Sequence, residues 1–499
     1  MGDGYRGQTG GLLSGLALKE SSAKIRDFLQ ELAGRGEVYV TGGAVRDILR
    51  GERVGDLDLT VVDLSPLEVA EEAARRLSWA LVPLHEDFGV FRVAHGGFSL
   101  DISGLRPGAV DIEEDLRLRD FTFNALAVPL PEALEKTPSE WPLLDPCLGL
   151  RDLKSGLIRA ISRRNLVDDP LRILRAYRFY ALGFGEIEEE TRRWLSAERE
   201  RLLGVARERI AHELMLILKS KRAGETFSLM AEDEVFFVIF PELAEARGVP
   251  QPAFHHLDVL GHSLEALRRA EEVLEAPEKF FGTGEPFREV LKDPERVVAV
   301  KLAALFHDAG KARTFAPPGK RSDRITFYEH EKVGAEMFEA WATRLRWKRS
   351  LAKKVQTLIR HHMRPFFLLE LYLEGRLTVR ARRRLIRDCP DYPLLFLLAL
   401  ADALAARGPA SEKDTPDKLV ELFEDLHRFA REIVSRVERE RLVTGHDLIE
   451  IFGLKPGPVF REILSALEEA RMEGRVKDRA GALAWIREYL KGRLPKEGV

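Results

Sequence analysis

The spacing of apolar residues changes once along this chain, and that change limits the folds open to it. Before about Ser162, short alternating and fully apolar runs are mixed with helical patterns; after it, apolar residues recur almost everywhere at steps of three and four. We predict strands at 38–40, 56–62, 88–93 and 98–102. The predicted fold class is therefore α+β, with a small mixed sheet followed by an all-helical remainder.

Length and composition narrow the class of protein further. A chain of 499 residues exceeds a single hydrophobic core, so several domains are expected. It has neither an apolar run near the ~20 residues of a membrane span nor a secretory signal pattern, so we expect no membrane association. Two isolated cysteines, Cys147 and Cys389, fit a reducing cytoplasm.

The net charge is −3, which excludes a chain that is basic throughout. Charge is nevertheless uneven, because six arginines are concentrated between Arg376 and Arg387. Most runs of this kind are solvated helix faces, and the sequence alone does not connect this one to a partner.

A glycine pair and three aspartates carry the chemistry of the first third. Gly42-Gly43 follows a predicted strand and opens a helix, where bare backbone N–H groups can approach a triphosphate. Asp56 and Asp58 are two apart in a strand, so their side chains face one side. Asp101 lies on the polar face of a later strand and offers a third carboxylate.

Neighbouring carboxylates repel each other unless a cation lies between them, and Mg²⁺ prefers oxygen ligands while tolerating substrate phosphates. Three acids around two metals suit in-line attack of an RNA 3′-hydroxyl on an α-phosphate. Asp-x-Asp alone is more often a turn or a solvated strand face. We therefore predict Asp56, Asp58 and Asp101 as catalytic on the strength of the combination, with Mg²⁺ bound by Asp56 and Asp58.

The combined pattern resembles the class II tRNA nucleotidyltransferase (CCA-adding enzyme) and bacterial poly(A) polymerase family, within the polymerase-β-like superfamily. Residues 42–58 resemble its first signature, the run RDFTFNA at 119–125 its ribose-selecting motif, and DDPLRILRAYRF at 168–179 its amino-acid template helix. The resemblance covers roughly residues 22–220. Residues 207–214 resemble its last motif, which we expect to brace the neck, with a structural role for His212.

The resemblance assigns nucleotide-binding roles residue by residue. Asp169 and Arg172 would read the base edge, while Arg175 and Arg178 would complete the pocket. Arginines at steps of three occupy about 120° of a helix, so three of them can face one cleft. The nucleotide-binding residues implied are Gly42, Gly43, Arg46, Arg119, Asp120, Asn124, Asp169, Arg172, Arg175 and Arg178.

The expected activity is template-independent addition of nucleotides from CTP and/or ATP to the 3′ end of tRNA. The chain departs from the family twice: Leu118 stands where a tandem arginine is usual, and the stretch from Asp101 to Asp115 is short. Full CCA-adding members carry a longer flexible loop there, and a short one resembles members that add only two cytidines. CCA addition and CC addition both remain open. A bacterial poly(A) polymerase, adding ATP to general RNA 3′ ends, is the alternative.

Seven of the twelve histidines lie between residues 255 and 362. A His-Asp pair after an apolar run, joined by distant His and Asp residues, resembles the HD phosphohydrolase superfamily. The ligand set that this implies is His262, His307, Asp308, His330, His361, His362 and Asp402. Such donors suit Mn²⁺, Ni²⁺, Fe²⁺ or Mg²⁺. Phosphohydrolase action on RNA ends is expected, and an RNA-binding phosphohydrolase with a non-catalytic head is a further alternative.

Five segments are expected along the chain. They are a flexible lead at 1–20, the nucleotidyltransferase head at 21–150, a helical neck for base recognition and RNA binding at 151–248, an HD domain at 249–410 and a helical, RNA-binding tail at 411–499. The expected partners are the tRNA acceptor end, CTP and ATP. The sequence does not indicate an oligomeric state.

Overall fold

The structure is a computed structural model, which describes two leucines near the start of the chain and most residues from 22 to 491. The described residues are Leu12, Leu16, 22–85, 89–282, 284–319, 322–434 and 442–491. The expected lead at 1–20 lies outside them, apart from the two leucines. The chain divides into two compact units, one formed by 1–220 with 229–239 and the other by 221–228 with 240–499.

The first unit contains a six-stranded mixed sheet in the order β3-β4-β5-β2-β1-β6. Its strands are β1 (Val38–Thr41), β2 (Asp56–Val61), β3 (Ala80–His85), β4 (Val90–His95), β5 (Phe98–Ser103) and β6 (Ala127–Pro129). Strands β2 and β5 are parallel, and the other neighbours in the sheet are antiparallel. The predicted α+β class is confirmed.

Four of these strands agree with the sequence prediction, except that Phe88 lies outside the described residues. Strand β3 was not predicted, because Pro83 interrupts its apolar run, and a proline is tolerated mainly in an edge strand such as this one. Strand β6 is three residues long, which is too short to show a period of two.

Helices surround the sheet and then form a helical neck. They are α1 (Ser22–Ala33), α2 (Gly42–Leu49), α3 (Pro66–Leu77), α4 (Ile112–Arg117), α5 (Leu130–Glu135), α6 (Gly149–Ser155), α7 (Arg163–Asp168), α8 (Arg172–Ala181), α9 (Glu189–Glu198), α10 (Arg207–Lys219), α11 (Ala223–Glu232) and α12 (Val235–Ile239). A short parallel pair, β7 (Leu157–Ile158) and β8 (Glu186–Ile187), lies within the neck. Residues 122–124, 199–204 and 241–246 form 3₁₀ turns.

Side-chain caps set where several of these helices begin. Ser65, Asp111 and Ser162 each accept a hydrogen bond from a backbone N–H of the first turn of α3, α4 and α7. Helix α8 then buries one face, and the hydroxyl of its fully buried Tyr177 donates to Asp233 at 2.8 Å. The face of α8 that carries the template arginines is thereby fixed within the first unit.

In its described residues, the second unit has helices as its only regular elements, with isolated bridges besides. Its helices are α13 (Val259–Glu275), α14 (Glu278–Phe281), α15 (Glu285–Arg288), α16 (Pro294–Phe306), α17 (Lys311–Thr314), α18 (His330–Arg344), α19 (Arg349–His361), α20 (Arg364–Leu373), α21 (Val379–Asp388), α22 (Tyr392–Ala405), α23 (Thr415–Arg428), α24 (Gly445–Glu450), α25 (Pro458–Met472) and α26 (Arg479–Lys491). A π-helical turn spans Phe429–Val434.

Two features of this unit follow from its apolar pattern. Helices α16 and α22 are buried along most of their length, as expected for helices that are apolar on every side. The last three helices share a separate core that includes Leu448, Ile463 and Ile486. Across the described ranges, every helix is too short or too polar to cross a membrane.

Candidate active site and metal centre

Two predicted catalytic aspartates share one face of β2. Leu57 and Leu59 are fully buried, so Asp56 and Asp58 point to the opposite side of the sheet. On the parallel neighbour β5, Asp101 lies directly opposite Asp58 in the register. The parallel pairing of β2 with β5 therefore brings carboxylates from two strands to one place.

The electrostatics of these carboxylates fit a cation site. Burial, followed by the charge of Asp101, raises the pKa of Asp58 to about 6 and also raises the pKa of Asp56. Both oxygens of Asp101 accept from the Arg92 guanidinium, at 2.7 and 2.6 Å. Among the described residues, the three aspartates do not place three ligand atoms within 4.8 Å of one another. Asp56 and Asp58 remain as an all-oxygen donor pair whose repulsion Mg²⁺ would relieve.

Gly42 leaves no room for a side chain beside these aspartates, whereas a Cβ at Gly43 would make only ordinary van der Waals contact with Asp58. Gly42 has φ +65°, and a Cβ there would lie 2.6 Å from the Arg119 guanidinium. A Cβ at Gly43 would lie 3.5 Å from Oδ2 of Asp58. Asp58 also accepts from the backbone N–H of Ala44 in the first turn of α2, which favours its ionised form. The turn thus joins a helix start, an arginine and a carboxylate.

A buried aspartate that the sequence prediction omitted, Asp115, positions Arg119. It is 0% exposed and lies 3.2 Å from the Arg119 guanidinium and 2.7 Å from that of Arg106. Burial would raise the pKa of Asp115, but the charges of Arg106 and Arg119 outweigh it and lower that pKa. In the sequence, Asp115 belongs to an acidic run that resembles a solvated helix face, so no local signal marks it as buried.

Asp120 links the ribose-motif segment to the template helix. Arg175 lies 2.6 Å from its carboxylate, and the side-chain amide of Asn124 donates to it at 2.9 Å. Burial would raise the pKa of Asp120, but Arg175, Asn124 and other donors lower it well below its usual range. Arg46 donates to Asn124 at 2.6 Å and stacks on the ring of Phe184. Three predicted nucleotide-binding residues thereby form one connected group with Asp120.

The remaining template residues have separate partners. Asp169 accepts from Arg209 at 3.2 and 3.3 Å in a half-exposed pair. Arg172 donates from Nη1 to the carbonyls of Arg119 and Asn165, which fixes it beside the ribose motif.

Arg178 pairs with the buried Glu213 of α10 at 3.2 Å. Arg172, Arg175 and Arg178 therefore lie on one helix but contact three different partners.

Contacts from residues 145–152, which the sequence analysis did not single out, hold the turn at 122–124. Asp145 accepts from the backbone N–H groups of Gly149 and Leu150, at 2.6 and 3.0 Å. A Cβ at Gly149 would lie 2.0 Å from the carbonyl oxygen of Thr122, so only glycine fits. Asp152, 1% exposed, accepts from the Thr122 hydroxyl at 2.9 Å. In the sequence, the one sign of this arrangement is that Asp145 stands four residues before Gly149.

The predicted histidines and aspartates of the second unit converge on two adjoining groups. One group is His262, His307 and Asp402, the other is Asp308, His330 and His362, and the ligand atoms within each lie within 4.8 Å of one another. These residues come from α13, α18 and α22 and from the turns that end α16 and α19. Six residues from five separate stretches of the chain are thus brought together in a buried site.

Hydrogen bonds orient these imidazoles as metal ligands. Nδ1 of His307, His330 and His362 lies 2.9, 2.9 and 2.7 Å from a backbone carbonyl three residues earlier, so each ring donates from Nδ1 and directs Nε2 into the cluster. The Nε2 atoms of His330 and His362 face each other at 3.1 Å. Two unprotonated nitrogens repel at that distance unless a cation lies between them.

The polar atoms without partners also fit a metal. Within the described ranges, Nε2 of His307 and Oδ1 of Asp308 are buried and make no hydrogen bond. Burial would lower the pKa of His307, but Asp308 and Asp402 outweigh it and raise that pKa to about 9. The cluster therefore favours a positive charge at this nitrogen, and a divalent ion bound by these donors would supply one.

Two further histidines lie near the ligand groups without belonging to them, His361 and His255. His361 belongs to neither ligand group; it is half-buried, and burial followed by the charge of Arg364 lowers its pKa. His255 packs its ring against His262 with 4.4 Å between centroids and Nδ1 atoms 3.3 Å apart. Of the predicted ligands, His362 rather than His361 contributes to the cluster.

Models of four protein families match successive parts of the chain. The model described as poly A polymerase head domain matches residues 38–159, and that described as "Probable RNA and SrmB- binding site of polymerase A" matches 185–247. The HD domain model matches 259–407, and a tRNA nucleotidyltransferase domain 2 model matches 418–486.

The similarity to known proteins covers nearly the whole chain. The A-adding tRNA nucleotidyltransferase of Deinococcus radiodurans is 34% identical over 464 residues, covering 90% of this chain and 95% of the relative. The CC-adding tRNA nucleotidyltransferase of Thermus thermophilus is 34% identical over 468 residues, covering 92% and 94%. The solved CCA-adding enzyme of Thermotoga maritima, complexed with tRNA, has the same fold, with a TM-score of 0.61 at 24% identity over 96% of this chain and 98% of that one. The chain therefore belongs to the tRNA nucleotidyltransferase and bacterial poly(A) polymerase family, with an HD domain following its head.

Proposed function

We propose that this chain adds nucleotides from CTP to the 3′ end of tRNA and stops after two cytidines. The reaction joins the RNA 3′-oxygen to the α-phosphorus of the nucleotide and releases pyrophosphate. The observation that carries the proposal is the carboxylate face of β2, with Asp56 and Asp58 beside the glycine turn that opens α2. Near-complete coverage of A-adding and CC-adding relatives supports tRNA as the acceptor.

The head residues are suited to hold the triphosphate and the reacting ends. Asp56 and Asp58 would hold Mg²⁺, which when bound supplies charge stabilisation at the α-phosphate. Gly42 allows the backbone at the start of α2 to approach the phosphates, and Arg119, fixed by Asp115, adds a positive charge on the same side. These groups are in place before a nucleotide arrives, so little reorganisation is needed.

The polarity of Asp169 and Arg172 suits cytosine or adenine. A carboxylate accepts from the exocyclic amino group of either base, and a guanidinium donates to the adjacent ring nitrogen. Uracil and guanine present a carbonyl oxygen where the amino group would be, opposite the acceptor Asp169, and are disfavoured. A nucleotide would have to displace Arg209, whose contacts with Asp169 are half-exposed and long.

The connection between β5 and α4 supports stopping at CC. It spans residues 104–111, and Arg106 ties it to Asp115 through its backbone N–H at 2.9 Å and its guanidinium at 2.7 Å. The family resemblance implies a longer flexible loop at this point in full CCA-adding members. A short, tethered connection favours one pocket size and therefore one base.

The test is to sequence products after extending a tRNA that lacks its 3′-terminal CCA with CTP, with ATP and with both. The proposal expects two cytidines in every reaction that contains CTP and no further adenosine. Addition of CCA, or of A alone to a tRNA that ends in CC, would overturn the CC assignment. Extension of unrelated RNA with ATP alone would favour a poly(A) polymerase.

A second candidate function is metal-dependent hydrolysis of phosphate esters at RNA ends, with 2′,3′-cyclic phosphates as the first substrate to try. The two His/Asp groups of the second unit and their orphaned buried atoms favour it. The metal would be Mn²⁺, Ni²⁺, Fe²⁺ or Mg²⁺, and activity after chelation and reloading with each ion would identify it. No hydrolysis with any of the four would remove this candidate.

A further inference from the structure

Five exposed or partly exposed arginines of the second unit lie outside the two ligand groups of the histidine cluster, although two of them flank His362 at a distance of two residues in the sequence. Arg380, Arg384 and Arg387 are four and three residues apart on α21, so they form one stripe of that helix. The last two are each 70% exposed, and Arg380 is also exposed. Arg360 and Arg364, from the end of α19 and the start of α20, complete what we call the arginine patch.

An ion pair joins α20 to α21 in the arginine patch, and Arg360, Arg364 and Arg384 all lie close enough to His361, at the end of α19, for their charges to act on it. Arg364 lies 3.2 Å from the carboxylate of Asp388, which also pairs with Arg387 at 2.9 Å and Arg384 at 3.6 Å. Among the described residues, Asp388 is the one carboxylate paired with any member of the patch. Three of the five cations therefore share one anion, so the described part of the patch carries more positive than negative charge.

Two other arginines of the same run, Arg382 and Arg383, make contacts within the second unit instead. Arg382 pairs with Asp425 at 2.8 Å, and Arg383 pairs with Glu468 and donates to the carbonyl of Ser465. Their side chains are about one-fifth exposed. They fasten α21 to neighbouring helices and leave the opposite stripe of the helix to the solvent.

The stability of α21 accounts for Arg387, a cation in the last turn, and for Arg384, which pairs with Asp388 at i+4, but not for Arg380. Arg380 lies in the first turn, where a cation opposes the helix dipole and where α21 has no acidic residue. Arg380 and Arg384 are like charges at i and i+4, which also disfavours the helix. A ligand with several negative charges would remove both penalties.

We propose that the arginine patch binds the phosphate backbone of tRNA, which makes the HD-matched segment 259–407 part of the RNA-binding surface. This inference rests on the proposed function, since tRNA is the polyanion that this chain would act on. Guanidinium groups suit phosphate because their forked donors match its oxygens. The family model for RNA binding covers residues 185–247, so the patch lies outside it.

The experiment measures binding of tRNA lacking its 3′ end across a salt series. Replacing Arg384 and Arg387 by Gln should weaken binding about tenfold at low salt. It should also reduce the slope of log affinity against log salt by roughly 0.7–0.9 for each phosphate that the variant no longer neutralises. The kcat for extension at saturating tRNA should stay unchanged, because the patch touches neither nucleotide nor reacting atoms.

A matched control is the double variant Lys279→Gln and Arg288→Gln. Both side chains are exposed cations, on α14 and α15, and replacing them removes the same amount of positive charge. It should leave affinity and salt slope as in the unchanged protein. The variant Arg384→Lys with Arg387→Lys should restore most of the slope, which a purely structural role would not predict.

Wild-type affinity and slope in the Gln variant would overturn the inference while leaving the proposed function intact. Equal losses in the patch variant and the control would also overturn it, because the effect would then be one of net charge. An unchanged protein that neither binds nor extends tRNA would instead overturn the proposed function.

Discussion

Gly42 shows at the residue scale how closely the turn after β1 is fitted to its surroundings. Replacing it by Ala strains a backbone at φ +65° and places a Cβ 2.6 Å from Arg119. We expect the unfolding free energy to fall by roughly 1–3 kcal/mol and the KM for CTP to rise at least tenfold, because Arg119 must move. Steady-state kinetics with tRNA and thermal denaturation measure the two effects.

Gly96→Ala separates backbone strain from the clash with Arg119. Gly96 has φ +59°, and nothing lies within 4 Å of a Cβ built there. This variant should lose similar stability with an unchanged KM for CTP. Equal KM increases in the two variants would show that Arg119 does not act at the nucleotide.

Single residues also show what the sequence reveals and what it hides. Asp56 and Asp58 could be predicted, because alternation with two buried leucines fixes which way they point. Asp115 and Asp145 could not, because their roles depend on partners that the fold brings together from other elements. His361 and His362 are adjacent, and only the direction in which α19 ends decides which of them joins the cluster.

At the scale of elements, the Asp120–Arg175 pair joins the ribose-motif segment to α8 and makes stability depend on pH. The folded-state pKa of Asp120 is depressed, so its contribution is present above the unfolded pKa near 4 and is lost as pH falls below it. Asp120→Asn should lower the unfolding free energy on the order of 2 kcal/mol at pH 7. The difference in unfolding free energy between this variant and the unchanged protein should shrink as the pH falls from about 4 to about 2.

Calorimetry of the first unit's transition from pH 7 to pH 2 tests this prediction. The matched control is Asp168→Asn, which breaks an exposed pair with Arg164 and should change little. If the stability difference between Asp120→Asn and the unchanged protein did not change with pH, the pair with Arg175 would not be what stabilises the ionised carboxylate.

Most elements could be predicted from periodicity, and the exceptions have physical causes. Strand β3 carries a proline and β6 is three residues long, so their pairing rather than their pattern makes them strands. The order of strands and the parallel pairing of β2 with β5 depend on chain crossings that no local window contains. That pairing places Asp101 beside Asp58.

At the scale of the whole molecule, the two predicted chemistries lie in separate compact units. Asp308→Ala and His362→Ala should each abolish phosphohydrolysis and lower bound metal, because each removes a donor from the cluster, while CTP incorporation continues. Metal content by mass spectrometry and hydrolysis of a 2′,3′-cyclic nucleotide provide the readouts.

His361→Ala is the adjacent control and should keep metal and hydrolysis, since His361 belongs to neither ligand group. Loss of metal in the His361 variant alone, with the His362 variant unaffected, would reverse the assignment. Loss of CTP incorporation in the Asp308 variant would contradict independent sites.

The most direct measurement of the account is Mg²⁺-dependent incorporation of CTP into tRNA lacking its 3′ end, by Asp58→Ala and by Asp27→Ala. Asp27 is an exposed acid on α1, and replacing it removes the same negative charge elsewhere in the first unit. We predict a loss on the order of 10³-fold or more for the Asp58 variant, and a rate within about twofold of the unchanged protein for the Asp27 variant. Incorporation by the Asp58 variant at a rate close to that of the Asp27 variant would contradict the carboxylate face of β2 as the catalytic centre.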